Sequence, residues 1–170
     1  RYKADNDDSR FLEKNALAIF EASKKVHGLN DRDKLLLRLS CILHNVGRFI
    51  SIKNAPAATK NIIESTEIIG ISHDERILLA EVSAGSAESL DYRDVKAAKL
   101  MAMLKLAESL NKSYKKKIKD YKFKLEADKL IISTSFQDDM TLEFLAFEAN
   151  KTYFEEVCGI KTLLKRRRIF

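Results

Sequence analysis

The residues best suited to chemistry in this chain are His44 and Asn45, adjacent near the end of an apolar run from Leu35 to Ile50. A histidine followed by a carboxylate at the end of a buried helix is the start of a metal site. Both side chains reach the cleft where helix meets loop. Imidazole with carboxylates suits Mn, Fe, Zn or Mg, and the metal would polarise a phosphate and activate water. Here the second position is a neutral amide, which brings no charge. Further His and Asp ligands would have to come from neighbouring helices. His27 lies at the exit of the first predicted helix, and His73 lies inside a helix-start signature; a later helix offers Glu108, then Asn111. His44, Asn45 and Glu108 are therefore expected to be relic positions, with no metal, no cofactor and no catalytic residue in this chain. The alternative is an active metal-dependent phosphohydrolase using His44 and Glu108 as ligands.

The second candidate chemistry is charge. Residues 112–124 hold seven Lys and one Asp, and residues 161–170 hold Lys161, Lys165, Arg166, Arg167 and Arg168. The net charge is only +6, so the rest of the chain is mildly acidic. Two basic strips on an acidic body suit a polyanion. The expected binding residues are Lys112, Lys115, Lys116, Lys117, Lys119, Arg166, Arg167 and Arg168. Basic residues without base-reading aromatics suit a repeating phosphate chain, recognised by charge. Two other readings stay open. The strips could serve a nucleic-acid-binding module, although no helix-turn-helix or zinc spacing accompanies them. Arg166–Arg168 could also be structural, pairing with Asp138, Asp139, Glu155 or Glu156, or with a missing N-terminal domain.

These residues must be positioned by helices. The chain has 170 residues, 45% of them hydrophobic, with five Gly and one Pro, a composition that favours helix. Periodicity predicts helices over Ser9–Val26, from Asn30 or Asp31 to Gly47, over Ala57–Glu67, from Ser72 to Gly85, and over Asp91–Ser113. In the second of these, Leu35, Leu39, Ile42, Leu43 and Val46 form the apolar stripe, widened by Leu36 and Leu37, and Gly47 is the expected stop. Ser72-His73-Asp74-Glu75 reads as a capping box. Alternation at Tyr121–Glu126 and the β-branched run Leu130–Phe136 predict a β-hairpin. A helix over Thr141–Val157, with Leu142, Leu145, Phe147, Ala149 and Phe154 as its apolar residues, and a strand from Ile160 follow. The expected fold is mainly α with a small α+β end: a bundle of about five helices, then β-β-α-β. The expected division is a linker over 1–8, a helical domain over 9–117 and a small subdomain over 118–170. The chain begins at Arg1, not Met, and its polar start reads as cut from a longer protein. No apolar run approaches the roughly 18 residues of a membrane span. Cys41 and Cys158 lie far apart in apolar surroundings, and free thiols in a reducing cytoplasm are expected.

Several blocks together resemble a known family. They are Leu-His-Asn-Val-Gly at 43–47, Ile-Ile-Glu-Ser-Thr-Glu-Ile-Ile-Gly-Ile-Ser-His-Asp-Glu at 62–75, Lys-Leu-Met-Ala-Met-Leu-Lys-Leu-Ala-Glu-Ser-Leu-Asn-Lys-Ser at 99–113, and Phe-Glu-Glu-Val-Cys-Gly-Ile-Lys at 154–161. Their order resembles the C-terminal, HD-like helical region of the exopolyphosphatase / guanosine pentaphosphatase (Ppx/GppA) family. The resemblance implies a bacterial, cytoplasmic parent enzyme that hydrolyses phosphoanhydride bonds of polyphosphate or a phosphorylated guanosine nucleotide, with Mg, in actin-like N-terminal domains missing here. It implies an accessory role for this region, in polyanion binding and homodimer contacts. Against the HD pattern, Phe11 stands where a first His is expected and His44-Asn45 where His-Asp is expected. The next His is replaced within Ala55–Thr59, a later one falls near Gly85-Ser86, and Glu108 takes the place of the closing Asp.

Overall fold

The computed structural model describes residues 3–85, 94–113, 120–136 and 138–167. Helix α1 (Lys3–Ala22) is followed by the short α2 (Lys24–His27) and by α3 (Asp31–Leu43). A 3-10 turn (Val46–Phe49) leads to α4 (Ala55–Ser65), α5 (His73–Ala84) and α6 (Val95–Ser109). Strands β1 (Tyr121–Glu126) and β2 (Lys129–Thr134), helix α7 (Thr141–Cys158) and strand β3 (Lys161–Arg166) complete the order. The fold is mainly α with a small α+β end, as expected. The boundary expected at 117–118 lies outside the described residues.

Local chemistry sets most of the helix ends. The Asn30 side chain accepts from the Asp33 N–H while Asp33 accepts from the Asn30 N–H, both at 3.0 Å, a closed capping box. The predicted box at α5 is present too: Glu75 N–H donates to Ser72 Oγ and Ser72 N–H to Glu75 Oε2. Arg32 on α3 grips the same Glu75 through both carboxylate oxygens, at 2.7 and 2.8 Å, and so fastens the two helix starts together. Gly28, Gly85 and Gly159 end their helices in the left-handed conformation.

Some expectations need correction. Helix α1 starts at Lys3, because nothing in the polar stretch read as a linker breaks a helix. It does not run through to Val26. The Ser23 hydroxyl donates back to the Ile19 carbonyl at 2.6 Å and a turn intervenes before α2. Helix α4 begins at Ala55 and takes Pro56 into its first turn, where a missing N–H costs nothing. Helix α6 begins at Val95, with the Asp94 carboxylate accepting from the Ala97 N–H. Gly47 does not stop α3, which ends at Leu43. His44 turns extended and Asn45 takes the left-handed conformation at φ 65°. The buried face of α3 also differs from the predicted stripe. Leu36, Leu37, Ser40 and Cys41 are buried, whereas Leu35 and Ile42 are exposed. A helix apolar on most sides does not encode its own orientation. Ser40 is admitted to the interior because its hydroxyl donates to the Leu36 carbonyl. On α7, Phe147 and Phe154 are buried, but Leu142, Leu145 and Ala149 face outward.

The sheet has the order β1-β2-β3, with β1 antiparallel to β2 and β2 parallel to β3 across the α7 crossover. Its inner face presents Tyr121, Leu130 and Ile132 to the helices. These join Leu36, Met101, Leu104, Phe147 and Phe154 in one hydrophobic cluster, so a single core runs from the bundle into the β-β-α-β end. The Tyr121 hydroxyl donates to the Leu110 carbonyl at 3.0 Å, tying β1 to the end of α6. Burial pushes this phenol far above its usual range, with the Glu143 charge adding to the effect. Cys41 and Cys158 are free and buried, and desolvation pushes both thiols up to about 12. No described helix is long and apolar enough to cross a membrane.

Candidate functional site: a cavity at the His44–Glu108 pair and a lysine face on the sheet

The end of α3 faces the last turn of α6, which brings His44 to Glu108. His44 Nδ1 lies 2.9 Å from the Ser83 carbonyl and Nε2 lies 3.2 Å from Glu108 Oε1. A carbonyl only accepts, so Nδ1 carries a proton and donates to Ser83. The contact at Nε2 is then attractive only with a proton between nitrogen and carboxylate. Burial raises the Glu108 carboxyl. The hydrogen bond from His44 and the charges of His44, Lys112 and Lys105 together outweigh burial and hold it below the usual carboxylate range. Gly85 backs the imidazole: a Cβ there would meet His44 Cε1 at 3.4 Å.

The pair sits in a cavity of about 720 Å³ between α1, the end of α3, the 3-10 turn and the end of α6. Phe11, His44, Asn45 and Glu108, which the sequence placed at corresponding positions of an HD pattern, all line it. A divalent metal centre needs three or more side-chain donors of suitable softness. Here His44 and Glu108 are bonded to each other, and of the other carboxylates in the lining Glu13 is paired with Arg38 at 2.7 Å and Asp8 accepts from the Asn111 amide at 3.3 Å. Asn45 brings a neutral amide and Phe11 an apolar ring. Among the described residues no group of three or more His, Cys, Asp or Glu is placed to hold a metal ion. The residues do not fit a metal centre at this position.

The 3-10 turn, whose Val46, Arg48 and Phe49 line the cavity, is held in place through Gly47. The 3-10 turn presses against the start of α4 so closely that the Gly47 N–H donates to Thr59 Oγ1 at 2.9 Å. A Cβ at Gly47 would lie 2.3 Å from the Thr59 nitrogen and 2.5 Å from the Ala55 oxygen. Gly47 is thus required for close approach of two backbones.

The predicted basic residues divide. Lys115, Lys116, Lys117, Lys119 and Arg168 lie outside the described residues. Lys112 is exposed just past α6. Arg166 is exposed and donates to the Asp138 carbonyl at 3.1 Å, while Arg167 is half-buried. The register shows a basic surface that the strip reading passed over. Lys122 pairs with Ser133, which pairs with Lys165; Lys124 pairs with Ile131, which pairs with Leu163; Glu126 pairs with Lys129, which pairs with Lys161. Paired residues share a face. The outer face therefore gathers Lys122, Lys124, Lys129, Lys161 and Lys165, all exposed, with Glu126 as the one acid of the strands among them, while Lys161 also lies 3.5 Å from Glu155 of α7. Lys124 bonds to Glu126 at 2.8 Å. The alternation of Lys with apolar residues in β1 was the signal for this surface. Its continuation onto β3 needed the parallel pairing.

Fold and site together define a mainly helical domain with a small α+β end, a His–carboxylate pair in an open cavity and a lysine-rich sheet face. The family model described as Ppx/GppA phosphatase, domain III, matches residues 1–151. The chain belongs to the Ppx/GppA phosphatase family, and β3 lies beyond the matched stretch.

Proposed function

We propose that this chain serves a Ppx/GppA-type phosphohydrolase as an accessory, non-catalytic region in the cytoplasm. It holds a polyphosphate chain, or the phosphates of a guanosine nucleotide, by charge, while hydrolysis belongs to actin-like domains of the parent, with Mg. The observation that supports this most is the outer face of the sheet, where Lys122, Lys124, Lys129, Lys161 and Lys165 gather with Glu126 as the one acid of the strands among them. Their rows span about 13 Å along the strands at ~3.3 Å per residue. Lysine meets phosphate as a flexible point charge, which suits a linear polyanion without sequence. Lys112, exposed just past α6, and the basic run 115–119 of the sequence carry the same sign of charge. The region also makes homodimer contacts, a role supported by Leu142 and Leu145, which lie three residues apart on α7 and are 54% and 63% exposed.

Charge reversal tests the first part. Lys122→Glu, Lys129→Glu and Lys165→Glu combined should weaken binding of labelled long-chain polyphosphate about a hundredfold or more at low salt, measured by fluorescence anisotropy, and flatten its salt dependence. An affinity unchanged by the triple reversal would overturn the reading. RNA that competes as well as polyphosphate at matched salt would shift it to nucleic acid. For the dimer, sedimentation equilibrium of the Leu142→Glu, Leu145→Glu variant should show monomer where the natural sequence shows dimer.

A further inference from the structure

The sheet ends at β3, and the pairing of β3 with β2 fixes which of its backbone groups face outward. The Lys161 N–H donates to the Asp128 carbonyl at 3.0 Å and the Arg167 N–H to the Thr134 carbonyl at 2.7 Å, both toward β2. In a parallel ladder alternate residues turn their N–H and C=O to the same neighbour. Lys161, Leu163, Lys165 and Arg167 therefore face β2, and Thr162, Leu164 and Arg166 face away from it. We propose that this edge docks an acidic, extended segment of a partner protein, which adds a fourth strand to the sheet.

Backbone, charge and core each select the occupant. The start of the edge is closed, because Glu155 Oε1 accepts the Thr162 N–H at 3.0 Å. Beyond it, the Thr162 carbonyl and the N–H and C=O groups of Leu164 and Arg166 have no partner among the described residues. A row of such groups is a template for another strand. The edge is also cationic: Lys161, Lys165 and Arg166 are exposed along it, with Glu155 beside Lys161 at 3.5 Å. Two copies of β3 paired antiparallel about Leu164 would set Lys161 of one copy against Arg167 of the other. Like charges would then line both strands and oppose the pairing. The same charges favour an incoming strand whose carboxylates lie on the outer face, beside Lys161 and Lys165, with Lys129 one strand further in. On the inner face Leu164 is half-buried against the hydrophobic core, so an apolar side chain next to it extends that core. The segment that fits alternates acidic and apolar residues over about five positions, or ~16 Å at ~3.3 Å per residue. Lys161 and Lys165 also belong to the lysine face. The inference does not rest on the ligand proposed for that face, because a polyphosphate makes no use of the backbone of β3.

Fluorescence anisotropy of the full chain with a fluorescein-labelled Glu-Val-Glu-Val-Glu-Val-Glu peptide tests the edge. It should bind with Kd below about 100 μM at low salt. The same peptide with Gln for every Glu, or with Ser for every Val, should bind at least about tenfold more weakly. N-methylation separates backbone pairing from charge, because only one alternate set of N–H groups in a strand faces its neighbour. Methylating either the valines or the glutamates should abolish binding, and methylating the other set should spare it. Leu164→Pro removes an N–H that points away from β2, so far-UV circular dichroism should be unchanged while peptide affinity falls about tenfold or more. The methylated peptides keep the test open if the proline variant fails to fold. No binding at about 1 mM peptide, methylated peptides that behave alike, or an affinity matched by the Gln or the Ser peptide would each overturn the proposal. A dimer of this chain that Leu164→Pro dissociates would assign the edge to a second copy and overturn it too.

Discussion

Gly47→Ala is expected to destabilise the domain by about 3 kcal/mol or more, the largest effect of an alanine at any of the five glycines. The three nearest atoms to the added Cβ are all backbone: the Thr59 nitrogen at 2.3 Å, the Ala55 oxygen at 2.5 Å and the Ala58 carbonyl carbon at 2.7 Å. None of these is the end of a flexible side chain that could swing away. Relief requires the 3-10 turn to lift off α4, which also breaks the buried hydrogen bond from Gly47 N–H to Thr59 Oγ1. A broken, buried bond of this kind adds about 1–3 kcal/mol by itself. Lifting the turn would also displace Asn45, Arg48 and Phe49, which line the cavity. Gly28→Ala is the comparison. Gly28 has φ +69° and open space around its Cβ position, so alanine there meets only the left-handed penalty of about 1–2 kcal/mol. Urea unfolding of the two variants should separate them clearly. A Gly47→Ala variant as stable as Gly28→Ala would show that the two backbones can part at little cost.

The second large effect is acid destabilisation through His27. Its side chain is fully buried and packs against Phe20 with ring centroids 4.3 Å apart and the ring planes tilted by 47°. Nε2–H donates to the Phe20 carbonyl at 2.9 Å, and Nδ1 accepts from the Leu29 N–H at 2.9 Å. Both nitrogens are used and the ring is neutral. An imidazolium would set a second N–H against the Leu29 N–H. Burial is the main force holding this imidazole below its usual range, opposed by the Phe20 carbonyl and aided by the Lys99 charge, with Glu21 and Lys24 contributing less. Lys99 also donates to the His27 carbonyl at 2.7 Å.

Because the folded imidazole takes up its proton at lower pH than the unfolded one, the unfolded chain binds more protons as the pH falls. The stabilisation is fully present above about pH 6.5 and declines below it, by at most about 1.4 kcal/mol per pH unit, until the folded group titrates. Urea unfolding at pH 7.5, 6.5 and 5.5 should show this decline. His27→Gln should abolish the slope, and the exposed His73→Gln should retain it. Glu75 acts in a separate window. The hydrogen bond from Arg32, with the Ser72 N–H and the Arg32 charge, lowers it to about 2, so its contribution is lost only as the pH falls from about 4.5 through about 2. A slope between pH 7.5 and 5.5 that survives His27→Gln would move the acid sensitivity elsewhere.

How far the sequence could be read follows from the range of each interaction. Helix starts at Asn30 and Ser72, the hairpin and the final β-α-β order were legible because capping boxes and alternation act over a few residues. The ordered blocks were enough to suggest the Ppx/GppA family and to align Phe11, His44, Asn45 and Glu108, which share one cavity. Tertiary packing decided the rest. Which side of α3 is buried depends on what lies on either side of it, and a helix apolar nearly all round carries no record of that. The role of Gly47 depends on α4 arriving within contact of its backbone, which the sequence around Gly47 does not show. The lysines of β1 and β3 are about forty residues apart in the chain and become one face only through the register with β2. His44 and Asn45 began as the one place where adjacent side chains promised chemistry. The neutral amide at Asn45 argued against a metal site from the sequence onward, with an active metal-dependent enzyme left as the alternative, but only the approach of Glu108, 64 residues away, and of Phe11 from α1 made their position a cavity.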